Sequence, residues 1–162
     1  MSDQDQLAAE VVSRLQMRSQ TLATAESLTG GLLGATLTAV PGASRVYRGG
    51  FITYATDLKA TLAGVAATTL SEVGPVAART AQEMARGAVE RCGADLGVAL
   101  TGVAGPDPQD GHPVGQVYIA LAIGSSRSVP LVVEQRFGGD RKEIRSATVR
   151  AALSLVLDEL GS

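Results

Sequence analysis

A chain of 162 residues with a net charge of -2 is long enough for one domain with a full core and too short for two ordinary ones. It lacks the basic excess that marks a broad nucleic-acid surface, and with aromatics at 3% and no tryptophan it has no platform for stacking bases. One cysteine (Cys92) and one histidine (His112) exclude an intrachain disulfide, a multi-thiolate metal site and a His-rich zinc site. The polar, acidic start from Met1 to Gln6 is unlike a signal peptide, and no apolar run approaches the roughly 18 residues of a membrane span. These features predict a cytoplasmic protein without nucleic-acid or membrane partners. Lysine is scarce: of 14 basic residues, only Lys59 and Lys142 are lysines.

In chain order, Leu7, Val11 and Leu15 form a helical stripe over residues 4–17. Thr21–Ala25 reads as a short strand and Leu28–Ala39 as a helix stopped by Pro41-Gly42. Val46–Ala55 alternates as a strand, and Asp57–Leu62 follows as a short helix ended by Gly64. Pro75 opens a long helix to Cys92, and Asp95–Leu100 is an apolar run of strand length. Residues 102–115 form a Gly-, Pro- and Asp-rich loop, long enough to suggest function. Gly115–Ile123 and Val129–Phe137 read as a hairpin, and Asp140 caps a last helix reaching about Leu160. The order α-β-α-β-α-α-β-β-β-α predicts one α/β domain: a three-layer α/β/α sandwich with a mixed sheet.

The most informative stretch is Thr24-Ala25-Glu26-Ser27-Leu28-Thr29-Gly30-Gly31, where strand gives way to helix. A serine at such a junction can present its hydroxyl to open space, beside N–H groups left free for an anion or oxyanion. Gly30 and Gly31 let a ligand approach the backbone closely. An N-cap with a softened first turn is the plain alternative. The glycine fingerprints of dinucleotide sites and P-loops are absent, as is the G-x-S-x-G elbow, since Ala25 and Thr29 flank Ser27.

If Ser27 is a nucleophile, Lys59 is the candidate base, provided burial or a positive neighbour keeps it neutral. Strand ends that precede helices gather along one sheet edge, so Ser27 and Lys59 can converge there with Tyr54 near both. A Ser-His-Asp triad would have to recruit His112, which reads more simply as a surface loop residue. Two further clusters follow strands. Thr101-Gly102-Val103-Ala104-Gly105-Pro106-Asp107 offers backbone N–H groups, and Gly138-Gly139-Asp140-Arg141 opens a helix. Arginine is disfavoured at a helix N-terminus, so Arg141 there hints at a bound anion such as phosphate, or else a salt bridge to Glu143 or Glu26.

Together these clusters resemble the CinA C-terminal family, whose stand-alone members are the PncC-type nicotinamide mononucleotide deamidases. The likeness runs nearly end to end, and includes Arg48-Gly49-Gly50-Phe51-Ile52-Thr53-Tyr54, Gly64-Val65, Pro113-Val114-Gly115 and Gly139-Asp140-Arg141 beside the Ser27 motif and Thr101–Pro106. The resemblance implies hydrolysis of the mononucleotide's amide to the acid and ammonia, without a metal or other cofactor. It carries over Ser27 as nucleophile, Lys59 as base and Tyr54 as an assisting hydroxyl. Thr29, Gly30, Gly31, Thr101 and Gly102 would line the substrate site, and Arg141 would take the phosphate. Leu28 stands where the family usually has cysteine, and Ala77 where it has serine; both read as packing changes. The expected layout is one such domain over residues 1–162, without the N-terminal molybdopterin-binding-like domain of longer relatives. A homodimer is compatible with it. A non-catalytic nucleotide- or partner-binding module of the competence-associated type is the alternative.

Overall fold

In the computed structural model, which describes residues 1–161, five strands form one open sheet in the order β2-β1-β3-β4-β5. The strands are β1 (Leu22–Glu26), β2 (Tyr47–Ile52), β3 (Leu96–Gly102), β4 (Gln116–Ile123) and β5 (Leu131–Arg136). β1 runs parallel to β2 and β3, whereas β4 is antiparallel to both β3 and β5. Among the described residues the six α-helices are α1 (Asp3–Arg18), α2 (Leu32–Thr38), α3 (Thr56–Thr61), α4 (Ala67–Val73), α5 (Ala78–Cys92) and α6 (Arg141–Leu160). The expected α/β sandwich with a mixed sheet is what forms. Among the described residues no helix is long and apolar enough to cross a membrane.

Alternation along the strands separates two cores. Leu22, Leu96, Val98, Leu100, Val117, Ile119 and Leu121 face α1, α2 and α6. Ala23, Ala25, Ala99, Ala120 and Ala122 face α5, which contributes Ala81, Met84, Ala85 and Ala88. The second face is built from small residues, so α5 lies close to the sheet. A Cβ on Gly97 would stand 2.5 Å from the Ala85 carbonyl oxygen.

Three departures from the sequence reading have a clear physical cause. First, α2 starts at Leu32 rather than Leu28, because Gly30 and Gly31 take φ of 56° and 101° and turn the chain first. Second, α5 starts at Ala78, leaving Pro75 and Val76 in the preceding turn. Third, helix α4 was not expected. Its N-cap, Ala66, has no capping side chain, and the cap comes instead from Glu83 on α5, which accepts from the Ala66 N–H at 2.9 Å and the Thr69 hydroxyl at 2.6 Å. A cap supplied from another helix leaves no local signal.

The topology decides where chemistry can occur. The carboxyl ends of parallel β1, β2 and β3 share one edge of the sheet. The β4–β5 hairpin returns the chain to that edge, since Arg136 at the end of β5 pairs with Gln116, next to the Val117–Gly102 pair at the end of β3. The first turn of α6 therefore arrives beside the loops that follow β1, β2 and β3.

Candidate active site

Ser27 is the first residue beyond β1, and its N–H donates to the Leu100 carbonyl at 3.0 Å, continuing the pairing with β3. It follows Ala23 and Ala25 in the period of two, which puts it on the α5 face of the sheet. Thr101 takes the same face from β3, following Ala99. The turn after Ser27 closes with the Gly30 N–H on the Ser27 carbonyl at 3.0 Å.

Lys59 enters from α3 with 1% of its surface exposed. Its Nζ donates to Ser27 Oγ at 3.0 Å and to the Thr53 carbonyl at 2.7 Å. No carboxylate forms an ion pair with it among the described residues. Burial without a counter-charge favours the neutral amine and pulls its pKa from 10.5 to about 8. An uncompensated buried lysine destabilises a fold, so its presence asks for a chemical reason.

A cavity of about 170 Å³ opens over this pair, lined also by Tyr54, Pro75, Val76 and residues 101–105. Backbone N–H groups of Leu28, Ala104 and Gly105 lie on lining residues and meet no acceptor among the described residues. They can receive negative charge developing on a bound carbonyl oxygen. Arg141 stands at the rim, where Nη1 donates to the Gly105 carbonyl at 2.6 Å and Nη2 to the Tyr54 hydroxyl at 2.9 Å. Neither Glu143 nor Glu26 pairs with it, and its remaining N–H groups meet no acceptor among the described residues, which leaves them able to bind an anion.

The structure thus brings Ser27, Lys59, Tyr54, Thr101, Gly102 and Arg141 to one cavity. Tyr54 is 61% exposed and hydrogen-bonded to Arg141 rather than to Ser27 or Lys59. The Thr101 hydroxyl is spent on the Pro75 carbonyl at 2.7 Å, so this residue shapes the wall. Thr29, Gly30 and Gly31, expected to line the substrate site, lie outside the cavity. Thr29 is fully buried, and its hydroxyl donates to Glu26 at 2.6 Å. His112 bonds Gln116 at 2.9 Å and is not a lining residue.

Sequence reasoning overlooked the role of Glu26, which sits beneath the turn, 2% exposed. Besides Thr29, its carboxylate accepts from the N–H groups of Leu33 at 2.9 Å and Gly34 at 3.0 Å. An acidic residue just before a helix start is the signal that could have found it. Glu26→Gln forces an amide N–H₂ against one of these donors. We expect a loss of about 1–3 kcal/mol in unfolding free energy, read by urea denaturation.

Residues 4–160 match the family model of the CinA C-terminal domain. The chain belongs to the CinA C-terminal domain family. A CinA-like protein of Frankia casuarinae is 50% identical over 152 residues, covering 94% of this chain and 34% of that protein. The chain spans about a third of the length of the curated relatives it matches. Among solved structures, the competence/damage inducible protein CihA from Agrobacterium tumefaciens superposes with a TM-score of 0.92 at 38% identity, covering 100% of this chain and 98% of that one. A CinA superfamily protein from Klebsiella pneumoniae gives a TM-score of 0.92 at 32% identity, covering 97% of both chains. The CinA domain thus keeps this sheet order and sheet edge across proteins that share a third of their residues.

Proposed function

We propose that this CinA domain is an amidohydrolase that converts nicotinamide mononucleotide to nicotinate mononucleotide and ammonia through a Ser27–Lys59 dyad. The observation that carries the reading is the buried Lys59, without an acid partner, 3.0 Å from Ser27 Oγ. In its neutral form the Nζ lone pair accepts the serine proton while one N–H stays on the Thr53 carbonyl. Ser27 Oγ then attacks the amide carbon, and the resulting oxyanion is met by the free N–H groups on the cavity wall. The Lys59 ammonium returns its proton to the departing nitrogen, which leaves as ammonia with the C–N bond broken. Water, deprotonated by the again neutral Lys59, attacks the Ser27 ester; the ester C–O bond breaks, the Lys59 proton returns to Ser27 Oγ, and the carboxylate leaves. Every group used comes from this domain.

Arg141 supports a phosphate-bearing substrate, because it lines the cavity on a frame fixed by Gly105 and Tyr54 and keeps further N–H donors beyond those two bonds. Arg141→Ala should raise KM for the mononucleotide about ten- to a hundredfold and hardly affect the unphosphorylated riboside, which is poor from the start. Equal losses on both substrates remove Arg141 from the phosphate. The reaction itself is tested by ammonia release from nicotinamide mononucleotide with purified protein. Tight binding of the mononucleotide without ammonia would favour the non-catalytic binding module.

A further inference from the structure

Arg145 lies one turn beyond Arg141 and does not reach the cavity. Asp140 caps α6 through the Glu143 N–H at 2.9 Å, and Ile144 and Thr148 are fully buried, so Arg145 projects from a fixed stretch of helix. Its Nε donates to the Leu28 carbonyl at 3.0 Å and its Nη2 to the Thr29 carbonyl at 2.9 Å. No acidic side chain pairs with it among the described residues. The Thr29 carbonyl also accepts from the Leu32 N–H at 2.9 Å, but the Leu28 carbonyl has no other donor among the described residues. Two consecutive peptide groups of the turn that follows Ser27, Leu28–Thr29 and Thr29–Gly30, are thus held by one cation.

Resting on the deamidase reading, we propose that Arg145 is a positioning residue for the reaction at Ser27: its guanidinium fixes the Ser27–Gly30 turn that carries the nucleophile and the Leu28 N–H. The peptide group is planar and trans, so holding the Thr29 carbonyl on one side sends the N–H of the same peptide, that of Gly30, to the other, where it donates to the Ser27 carbonyl at 3.0 Å and closes the turn. A full positive charge on the carbonyl also polarises that peptide and strengthens its N–H as a donor. Without the clamp, the turn relies on the Gly30 and Leu32 N–H bonds and on the Thr29 hydroxyl's bond to Glu26, and the Leu28 carbonyl loses its donor. Misplacing reacting groups by about 1 Å costs on the order of a hundredfold in rate.

The test compares wild type, Arg145→Met and Arg145→Lys, each counted per folded molecule. Arg145→Met should lower kcat for nicotinamide mononucleotide about a hundredfold at nearly unchanged KM, and Arg145→Lys, keeping the charge and one bond, should fall between. A second readout is the rate at which Ser27 Oγ displaces fluoride from a small phosphonofluoridate, which needs no nucleotide; it should slow in parallel. The rising limb of the pH profile should keep its wild-type midpoint, because Arg145 does not touch Lys59. Full kcat per folded molecule in Arg145→Met, or a limb moved toward 10.5 by water entering the site, would overturn the positioning role. Wild type that reacts with the phosphonofluoridate but releases no ammonia from the mononucleotide overturns the substrate and leaves this inference to be decided by the labelling rates. Wild type inert to both overturns the nucleophile, and the inference with it.

Discussion

Ser27→Ala should lower kcat for nicotinamide mononucleotide by about a thousandfold or more while leaving its binding near the wild-type affinity. The two quantities separate because only the attacking oxygen is removed. The rim arginine, the cavity wall and the free N–H groups all remain, and they bind the ground state as before. The fold should tolerate the change, since Ser27 is held through its N–H on Leu100 and its carbonyl on Gly30 rather than through its hydroxyl alone. Single-turnover ammonia release and calorimetric binding on the same sample decide it. A mutant retaining more than a few per cent of wild-type kcat would mean that Ser27 does not attack.

The second large effect is expected of Lys59, in the pH dependence of both turnover and stability. With a pKa of about 8, roughly a tenth of the molecules carry the neutral amine at pH 7, so kcat should climb as pH rises and level off above 8. Lys59→Arg should be nearly inactive, because guanidinium does not give up its proton. The same shift couples to stability. Below pH 8 both folded and unfolded chains carry a protonated Lys59, and the fold bears the full cost of burying that charge. Between 8 and 10.5 the unfolded chain holds more protons than the folded one, so raising the pH stabilises the fold at this site. The gap corresponds to about 3 kcal/mol. Lys59→Met lacks this titration. The unfolding free energy of wild type relative to Lys59→Met should therefore rise by about that amount from pH 7 to pH 10.5. A constant difference across that range would show that Lys59 is charged in the fold at ordinary pKa.

Much of this arrangement was legible in the chain because it is local. The strand-to-helix junction at Ser27, the strand before Lys59, the loop after β3 and the capped start of α6 each follow from a few neighbouring residues. Their meeting follows from one rule, that the ends of parallel strands share an edge. What was not legible depends on distant partners. Helix α4 forms because Glu83 caps it from another helix, and nothing between Val65 and Thr69 announces a helix start. Thr29 looks like part of the binding loop, yet Glu26 draws its hydroxyl inward. Tyr54 reads as an assistant to Ser27, but Arg141 from 87 residues away engages its hydroxyl instead. Arg145 hides in plain sight: its partners are main-chain carbonyls, which carry no sequence signature.

The unequal faces of the sheet give the domain an unequal tolerance to change. Beneath α1 and α6, exchanges among Leu, Ile and Val alter shape more than volume, and neighbours can repack around them for less than about 1.5 kcal/mol. Beneath α5 there is no slack. The contacts there are Ala23, Ala25, Gly97, Ala99, Ala120 and Ala122 against the helix itself, so one added methyl must push α5 outward. The N-terminal end of α5 follows directly from Pro75 and Val76, which wall the cavity, and Thr101 is tied to the Pro75 carbonyl. Swelling on that side would be transmitted to the mouth of the Ser27–Lys59 cavity as displacement, whereas on the other side it would be absorbed. Neutral drift in this protein is therefore confined to one half of its interior, and the alanine-lined half behaves as an extension of the site.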